Sequence, residues 1–483
     1  MKTKWFQLTQ RQRLSLLPNL YSMEAITEEM GKFLGFTYKK LILTCEQRLM
    51  HIFIEDKGRQ RVDKLALKKV LKQPKIIAQA LRLVEKYGQI FVRDFKKISA
   101  QDLSKYSNYK LDLIYQKYYR DYRRVYGYYF SILTVERPVS EWLMSRLASQ
   151  EKNKNKCLEY FSILTLAPKA MVAFKERIEL LKIAALIRRK KRKDWQKDSL
   201  ILRWIKNHQK RFFWLTRDYE DPILTVNDII KRLHTELKHQ PEKELKLIEN
   251  KYLNNDQKIK ALEKRLHLNK LEKDLFKLLR DGLDLKEYRK AVVSQTLYYF
   301  DSVLLEIGRR AGLSLPQMRN ILPSEIKIAL LGRDLSRVLN ERIRFAVAIT
   351  RKGKSKVLSG RPAEKWRKIL FPKIKQEKAL YGLTVSFGYA RGPAKIVMHP
   401  SEIKKIKKGD ILVTVQAVPS FAPAFRLASG VVADGGTGIT SHTATLAREA
   451  NIPAISGCKI ATKIIKDGQI IELNTERDEV KIL

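Results

Sequence analysis

The sequence predicts an α+β multidomain chain, with a mostly helical region over residues 1–375 followed by a smaller domain of short strands and turns over residues 376–483. Glycine marks the change, because ten of the 21 glycines fall within residues 382–483. The glycine-poor first part carries apolar residues three and four positions apart, which is typical of amphipathic helices. The last part carries short apolar runs separated by glycine turns, which is typical of strands.

Helices are predicted along the whole of the first part. The clearest three- and four-residue spacings lie at residues 65–71, 77–84 and 111–118. Residues 243–279, rich in Lys, Glu and Leu, predict a helical hairpin with partly solvated faces, and residues 292–305 predict a more buried helix. We expect the helical region to divide into two subdomains near residues 280–290.

The main candidate site lies in the last part, around His442. An apolar run at residues 430–433 predicts a buried strand, and a glycine-rich turn follows at residues 434–438. Thr440 and Ser441 are N-cap residue types, and residues 442–450 have the composition of a helix. The next strand is predicted at residues 453–456. His442 is therefore expected at the N-terminus of a helix, directly after a glycine loop.

A phosphate group would be stabilised at such a position. The first turn of a helix leaves backbone N–H groups unpaired and carries a partial positive charge, which stabilises an anion by about 0.3–1 kcal/mol. The same field disfavours protonation of His442, and a neutral imidazole can attack phosphorus. The hydroxyls of Thr440 and Ser441 could donate to phosphate oxygens, and Arg448 is a candidate charge partner. Position alone also fits an ordinary polar residue at a helix start, so the surrounding pattern has to decide.

That pattern resembles the phosphohistidine site of the phosphoenolpyruvate-utilising enzymes, a family that includes phosphoenolpyruvate synthase, pyruvate phosphate dikinase and rifampicin phosphotransferase. The family pattern is Gly-Gly-x-Thr-Ser-His-Ala-Ala-Ile-x-Ala-Arg-Glu-x-x-Ile-Pro-Ala-x-x-Gly. The residues that match it here are Gly438, Thr440, Ser441, His442, Ala444, Ala447, Arg448, Glu449, Ile452, Pro453, Ala454 and Gly457. Residues 382–394, 409–414 and 467–473 resemble other segments of the same domain.

The resemblance covers residues 380–483 and implies a swivelling β/β/α phosphohistidine domain at the C-terminal end. It implies that His442 is the catalytic carrier and that Gly438, Thr440, Ser441 and Arg448 stabilise the phosphate. Two positions depart from the family pattern. Thr437 replaces the first glycine of the pair, with Gly435 and Gly436 just before it, so the loop is expected to be shifted. Thr445 replaces an aliphatic residue.

The resemblance also implies parts that we do not find. The first 381 residues contain no glycine-rich nucleotide-binding pattern. We also expect no barrel domain for phosphoenolpyruvate or pyruvate after the last strand. We therefore expect a kinase-like transferase that carries a phosphoryl group on a histidine. The resemblance implies ATP and Mg²⁺, held by an ATP-binding protein in trans, and it leaves the acceptor open.

An alternative function follows from charge. Lys and Arg number 97 against 51 acidic residues, giving a net charge of +46, and such a chain should attract nucleic acid or an acidic partner. Basic and aromatic residues interleave in one stretch, which comprises residues 188–193, Trp195, Arg203, Trp204, Lys210, Arg211, Phe212, Phe213 and Trp214. The chain could thus be a non-catalytic binding or regulatory module. A general lysine bias, with the aromatic residues in the core, explains the same composition and stays open.

Cysteine use and hydropathy bear on the compartment. Cys45, Cys157 and Cys458 are widely spaced and odd in number, which predicts neither a disulfide framework nor a zinc site. The first residues lack an apolar core of signal length, and no uncharged stretch approaches the ~18 residues of a membrane span. We expect a cytoplasmic protein with no membrane segment and no metal site of its own.

Overall fold

A computed structural model describes residues 5–11, 15–46, 49–167, 172–190, 194–215, 217, 220, 222–371, 379–417, 421–435 and 441–483. The helices of the first part are α1 (Leu16–Thr27), α2 (Glu29–Leu34), α3 (Asp56–Lys72), α4 (Ile76–Ser99), α5 (Asn108–Gln150), α6 (Lys154–Leu164), α7 (Val172–Lys190), α8 (Ser199–Phe212), α9 (Val226–Leu237), α10 (Pro241–Arg265), α11 (Lys270–Ala311), α12 (Leu315–Met318), α13 (Ile326–Leu330), α14 (Ser336–Arg344) and α15 (Gly360–Leu370). Short 3₁₀ turns lie at Leu103–Lys105, Trp195–Lys197 and Pro323–Glu325.

The segments with helical spacing all lie in helices, namely α3, α4 and α5, and the hairpin is formed by α10 and α11. Two long helices, α5 with 43 residues and α11 with 42, pack with α4 around the main apolar core. None of the helices in the described ranges has both the length and the apolar content that crossing a bilayer would need.

Residues 280–290 lie inside α11, which is continuous there. The expected division into two subdomains stays a prediction. Gly282 permits close packing: a Cβ atom built on it would lie 2.3 Å from Cδ1 of Ile132 on α5. This glycine therefore lies at a close helix–helix contact, because a side chain at that position would have to displace the side chain of Ile132.

The first part also contains a sheet that the sequence did not predict. Its strands are β1 (Trp5–Arg11), β2 (Leu41–Glu46), β3 (Leu49–Glu55), β4 (Ala346–Arg351) and β5 (Lys354–Ser359). The order is β1-β3-β2-β4-β5, and every neighbouring pair is antiparallel. The pairing of β2 with β4 joins the beginning and the end of the helical region. Helices α3 to α14 therefore lie in the chain between two neighbouring parts of one sheet. The region is mostly helical, as predicted, and it also contains this sheet, which was not predicted.

The last part forms an eight-stranded sheet of β6 (Ala379–Tyr381), β7 (Leu383–Ser386), β8 (Tyr389–Ile396), β9 (Ile411–Thr414), β10 (Gly430–Ala433), β11 (Ala454–Ser456), β12 (Ile470–Asn474) and β13 (Glu479–Ile482). Its order is β6-β13-β12-β8-β9-β10-β11-β7, with β8 to β11 parallel and the outer pairs antiparallel. The sheet is accompanied by α16 (Ala422–Phe425), α17 (His442–Glu449) and α18 (Ala461–Ile464), and by a 3₁₀ turn at Pro400–Lys405.

Alternation along the central strands divides this part into two cores. Ile411 and Val413 of β9 pack in a cluster that includes Ala461 of α18. Leu412, between them, packs on the other face in a cluster that includes Ala444 and Ala447 of α17. Because side chains alternate across a strand, both faces of the sheet are buried and a helix covers each of them.

Candidate active site around His442

His442 is the first residue of α17, as the sequence predicted. Ser441 is the N-cap residue, with extended backbone angles of φ −66° and ψ 158°. Its Oγ accepts a hydrogen bond from the backbone N–H of Ala444, at 3.2 Å. This cap satisfies one of the donors that a helix start leaves unpaired. His442 itself is half-buried.

The parallel strands place α17 at their carboxyl edge. Val431 of β10 pairs with Leu412 of β9 on one side and with Ala454 of β11 on the other. After β10 the N–H of Gly435 donates to the carbonyl of Val415, at 2.8 Å, so the loop leaves the sheet beside the end of β9. Ligands of parallel α/β sheets bind at this edge.

Small residues hold α17 close to the sheet. Ala444 and Ala447 are fully buried between the helix and the strands. Thr443, also fully buried, accepts a hydrogen bond at Oγ1 from the N–H of Ala417, at 3.3 Å. This bond fixes the start of α17 to the segment that follows β9. Thr445 is half-buried on the same helix.

Two of the predicted phosphate-stabilising residues, Gly438 and Thr440, lie outside the described residues, as does Thr437. Ser441 lies next to His442 and caps its helix. The phosphate-stabilising roles of Gly438, Thr440 and Ser441 stay predictions, as does the catalytic role of His442.

Arg448 lies at the other end of α17, about 240° around the helix axis from His442. Its Nη1 donates to the carbonyl oxygen of Val385 on β7, at 3.0 Å. Burial lowers the pKa of Arg448 to about 10. In this geometry the guanidinium attaches α17 to the edge strand of the sheet, and its proposed action on a phosphate stays a prediction.

Asp434 is a buried acid that the sequence analysis did not single out. It is the first residue after β10 and is 2% exposed. Its carboxylate accepts hydrogen bonds from both the backbone N–H, at 3.3 Å, and the Oγ1 hydroxyl of Thr462 on α18. Burial raises the pKa of Asp434, while the Thr462 donors oppose the rise. The signal available in the sequence was an acid placed between a buried strand and a glycine loop.

Side chains of the last part also contact the helical part. The Lys463 ammonium of α18 lies 5.2 Å from the ring centroid of Phe371. Burial, and then the charge of Lys463, lower the pKa of His51 on β3 to about 4. Burial raises the pKa of Tyr252 on α10, and the carboxylate of Glu449 on α17 adds to that rise.

The basic and aromatic stretch divides between core and surface. The aromatic residues that are buried in it are Trp195, Phe212, Phe213 and Trp214. Arg211 pairs with Glu179, and Arg188 pairs with Glu242 at 3.1 Å. Trp204 is 43% exposed beside the exposed Arg203. Residues 191–193 lie outside the described ranges. Within those ranges, no group of three or more His, Cys, Asp or Glu side chains is arranged to hold a metal ion.

Comparison with known proteins assigns the last part to a family. Residues 406–478 match the model of the phosphoenolpyruvate-utilising enzyme mobile domain. A probable phosphoenolpyruvate synthase of Archaeoglobus fulgidus is 42% identical over 98 residues, which are 20% of this chain and 13% of that protein. The phosphoenolpyruvate synthase of Pyrococcus furiosus is 42% identical over 101 residues, 21% of this chain and 12% of that protein. An uncharacterized phosphotransferase of Bacillus subtilis is 35% identical over 107 residues, 22% and 13% of the two chains.

The predicted resemblance is therefore confirmed for the C-terminal part. The shared segment is about an eighth of the length of each of these relatives, and it lies in the last quarter of this chain. The helical part lies outside the region that the family model matches.

Proposed function

We propose that this chain, whose residues 406–478 form a mobile domain of the phosphoenolpyruvate-utilising enzyme family, carries a phosphoryl group on His442. One observation carries the proposal. His442 begins a capped helix at the carboxyl edge of four parallel strands, within the family's Thr-Ser-His and Ala-Arg-Glu pattern. The swivelling motion of the domain and its catalytic activity are parts of the same proposal.

The transfer takes place in two displacement steps. A ring nitrogen of neutral His442 attacks phosphorus, a P–N bond forms, and the P–O bond to the donor breaks as the leaving oxygen takes the electron pair. An acceptor oxygen then attacks the same phosphorus, and the P–N bond breaks to return the neutral imidazole. The N–H groups of the first turn of α17 stabilise the charge on the phosphoryl oxygens, and the Ser441 cap holds that turn in place.

The donor and acceptor are proposed from the family alone. Two of the relatives are named as phosphoenolpyruvate synthases. Phosphoenolpyruvate is therefore the first compound to test as a donor of the phosphoryl group to His442. ATP with Mg²⁺, bound by a partner protein, is the second. The acceptor site is expected on a partner or on the helical part of this chain.

Isotope labelling tests the proposal. The protein is incubated with Mg²⁺ and either labelled phosphoenolpyruvate or labelled ATP, alone and with extract of the source cells. We expect a phosphoryl group that is stable in alkali and lost in acid, as a P–N bond requires. His442→Ala should abolish the label, while His399→Ala, in the same domain, should retain it. Label that persists in His442→Ala would reject the carrier function.

A second function, binding of single-stranded nucleic acid, is favoured by the outer face of α8. This helix has no acidic residue, and it exposes Arg203, Lys206 and Lys210 next to Trp204. Cations along a helix neutralise phosphates, and an exposed indole can stack on a base. Binding of a labelled oligonucleotide should weaken steeply with salt, and the triple change of Arg203, Lys206 and Lys210 to Gln should reduce the salt slope. A salt-independent signal, or one unchanged in this variant, would exclude the α8 face.

A further inference from the structure

The outer side of the helix pair α4 and α5 carries two rows of exposed cations. α11 packs against both helices from the core, so the rows face solvent on the side away from α11. The residues on α4 lie within about 60° of one another around the helix axis and span about 22 Å along it. The two rows consist of Arg82, Lys86, Arg93 and Lys97 on α4 and of Arg120 and Arg124 on α5.

Acidic side chains neutralise little of this charge. Two acids, Asp94 and Asp121, lie in the seam between the helices, and Lys117 contacts both of them, at 3.0 Å and 2.5 Å. Asp94 also contacts Arg93, at 3.2 Å. In the ranges that the structure describes, the other cations of the two rows form no ion pair with an acid. The face therefore presents excess positive charge to solvent, which attracts polyanions.

Exposed apolar side chains lie at one end of the same face. Tyr109 is 72% exposed, and Leu113, one turn later on α5, is 43% exposed. Leu331, which directly follows α13, is 75% exposed. Nδ2 of Asn108 donates to the carbonyl of Leu330 at 2.9 Å, so Leu331 lies beside the start of α5. Large apolar side chains that are exposed together indicate an interaction site.

Hydrogen bonds hold this end of the helix pair. Arg310, near the end of α11, donates through Nη1 to Oδ1 of Asn108 at 2.8 Å and through Nη2 to the carbonyl of Ser104 at 3.0 Å. Oγ of Ser107 caps α5 by accepting from the N–H of Lys110 at 3.2 Å. The apolar side chains are therefore exposed by the folded structure itself.

Cations beside exposed apolar residues match an anionic phospholipid surface. Lipid headgroups attract the cations, and apolar side chains enter the boundary between headgroups and acyl chains. A single-stranded nucleic acid would instead need aromatic faces for its bases. Between the rows, Tyr87 and Tyr128 stack on one another with ring centroids 5.9 Å apart, and the Arg124 guanidinium lies 5.1 Å from the ring centroid of Tyr87. These rings are already engaged, which favours the membrane.

We propose that this α4–α5 face binds the surface of anionic phospholipid membranes. The cations of both helices lie over the lipid phosphates, and Tyr109, Leu113 and Leu331 enter the headgroup region. The helices lie along the surface and do not cross it. The inference does not depend on the carrier function, because none of these residues belongs to the domain that contains His442.

Vesicle sedimentation of the full chain tests the electrostatic part. Vesicles of phosphatidylcholine alone are compared with vesicles that also contain phosphatidylserine. We expect binding to the mixed vesicles, weakening as salt is raised. Each cation near an anionic surface contributes about fivefold to binding, so a variant that lacks four of them should bind at least tenfold more weakly. This variant combines Lys86→Gln, Arg93→Gln, Arg120→Gln and Arg124→Gln.

A control with the same net charge separates the α4–α5 face from the charge of the whole chain. It replaces four exposed lysines of the last part and should bind the mixed vesicles nearly as well as wild type. The control combines Lys404→Gln, Lys407→Gln, Lys408→Gln and Lys466→Gln. The melting temperature of every variant is recorded, and these exposed positions should leave it close to the wild-type value.

A second pair of variants tests the apolar part. Tyr109→Ser combined with Leu331→Ser should weaken binding to the mixed vesicles, because less apolar surface enters the headgroup region. Tyr389→Ser combined with Leu427→Ser makes the same two changes at exposed positions of the last part and should bind like wild type.

Absence of binding to the mixed vesicles would overturn the inference. So would equal binding by either variant and its control. Loss of oligonucleotide binding in the cation variant, with vesicle binding at the wild-type level, would show that nucleic acid and not a membrane occupies the face. None of these measurements involves His442, so their outcome is independent of the carrier function.

Discussion

At the scale of single residues, Ser441 has two separable tasks next to His442. It caps α17 through Oγ, and in the proposed function its hydroxyl also donates to the phosphate. Ser441→Ala removes both and should lower the free energy of unfolding by about 1 kcal/mol, the usual value of an N-cap. Ser441→Asp keeps a good cap and should keep the stability.

The two Ser441 variants should differ in the free energy of unfolding and should both label His442 slowly. The carboxylate of Ser441→Asp would lie where a phosphoryl group must bind and would repel its negative charge, and Ser441→Ala lacks the hydroxyl that donates to the phosphate. Labelling of His442 should therefore be slow in both variants. Urea unfolding and labelling rate are measured side by side. Labelling at the wild-type rate in Ser441→Asp would show that no anion approaches this end of α17.

His51 makes stability depend on pH. Burial lowers its pKa from 6.5 to about 4 in the folded chain, so between these values the unfolded state binds more protons than the folded state. The stabilising effect of keeping His51 neutral is complete above its unfolded pKa and decreases as the pH falls toward the folded pKa. The loss amounts to roughly 3 kcal/mol.

Comparison of wild type with His51→Gln isolates this effect from other titrating groups. Urea unfolding at about pH 7.5 and about pH 4.5 should show wild type losing more stability than the variant on acidification. A difference between the two proteins that is independent of pH would contradict the burial of a neutral imidazole.

At the scale of elements, α18 links the two parts of the molecule. Its Lys463 lies over Phe371 and its charge contributes to the low pKa of His51, whose ring lies 4.9 Å from that of Phe371. Lys463→Gln should therefore raise the pKa of His51. NMR titration of the imidazole measures this pKa. Lys466→Gln removes an exposed charge three residues further on and is the control. Equal pKa values of His51 in the wild type and in Lys463→Gln would mean that α18 does not lie close to Phe371 and His51 in solution.

Elements near His442 followed from local sequence, whereas the first sheet did not. The predicted strand, helix and strand at residues 430–433, 442–450 and 453–456 correspond to β10, α17 and β11, because strand, cap and helix signals are local. The pairing of Leu41 with Thr350 joins distant parts of the chain, and no local pattern specifies such a partner. The contact between Asp434 and Thr462 is non-local for the same reason.

At the scale of the whole molecule, the charge of +46 should destabilise the folded state by self-repulsion. With 51 acidic residues against 97 basic ones, the acidic side chains are too few to pair one-to-one with every cation. Raising salt from about 0.1 M to about 1 M shortens the Debye length from about 10 Å to about 3 Å and should raise the melting temperature. NaCl and KCl should act alike. A melting temperature that falls with salt would show that ion pairs outweigh the repulsion.

The chain as a whole joins one family domain to a helical part with its own sheet. In the proposed function a carrier of this kind must meet a donor and an acceptor at different places. The contact of Lys463 on α18 with Phe371 would then represent one docked arrangement. The carrier function requires that His442 accept a phosphoryl group.

Chemical phosphorylation is the most direct test, because it needs neither donor protein nor acceptor. The native protein is treated with phosphoramidate, a small phosphoryl donor, and the product is mapped by phosphorus NMR and peptide mass. The chain has seven histidines. If His442 is the carrier, a single phosphohistidine should form first at this residue and be lost in acid. Phosphorylation spread over the other histidines, with His442 unmodified, would contradict it.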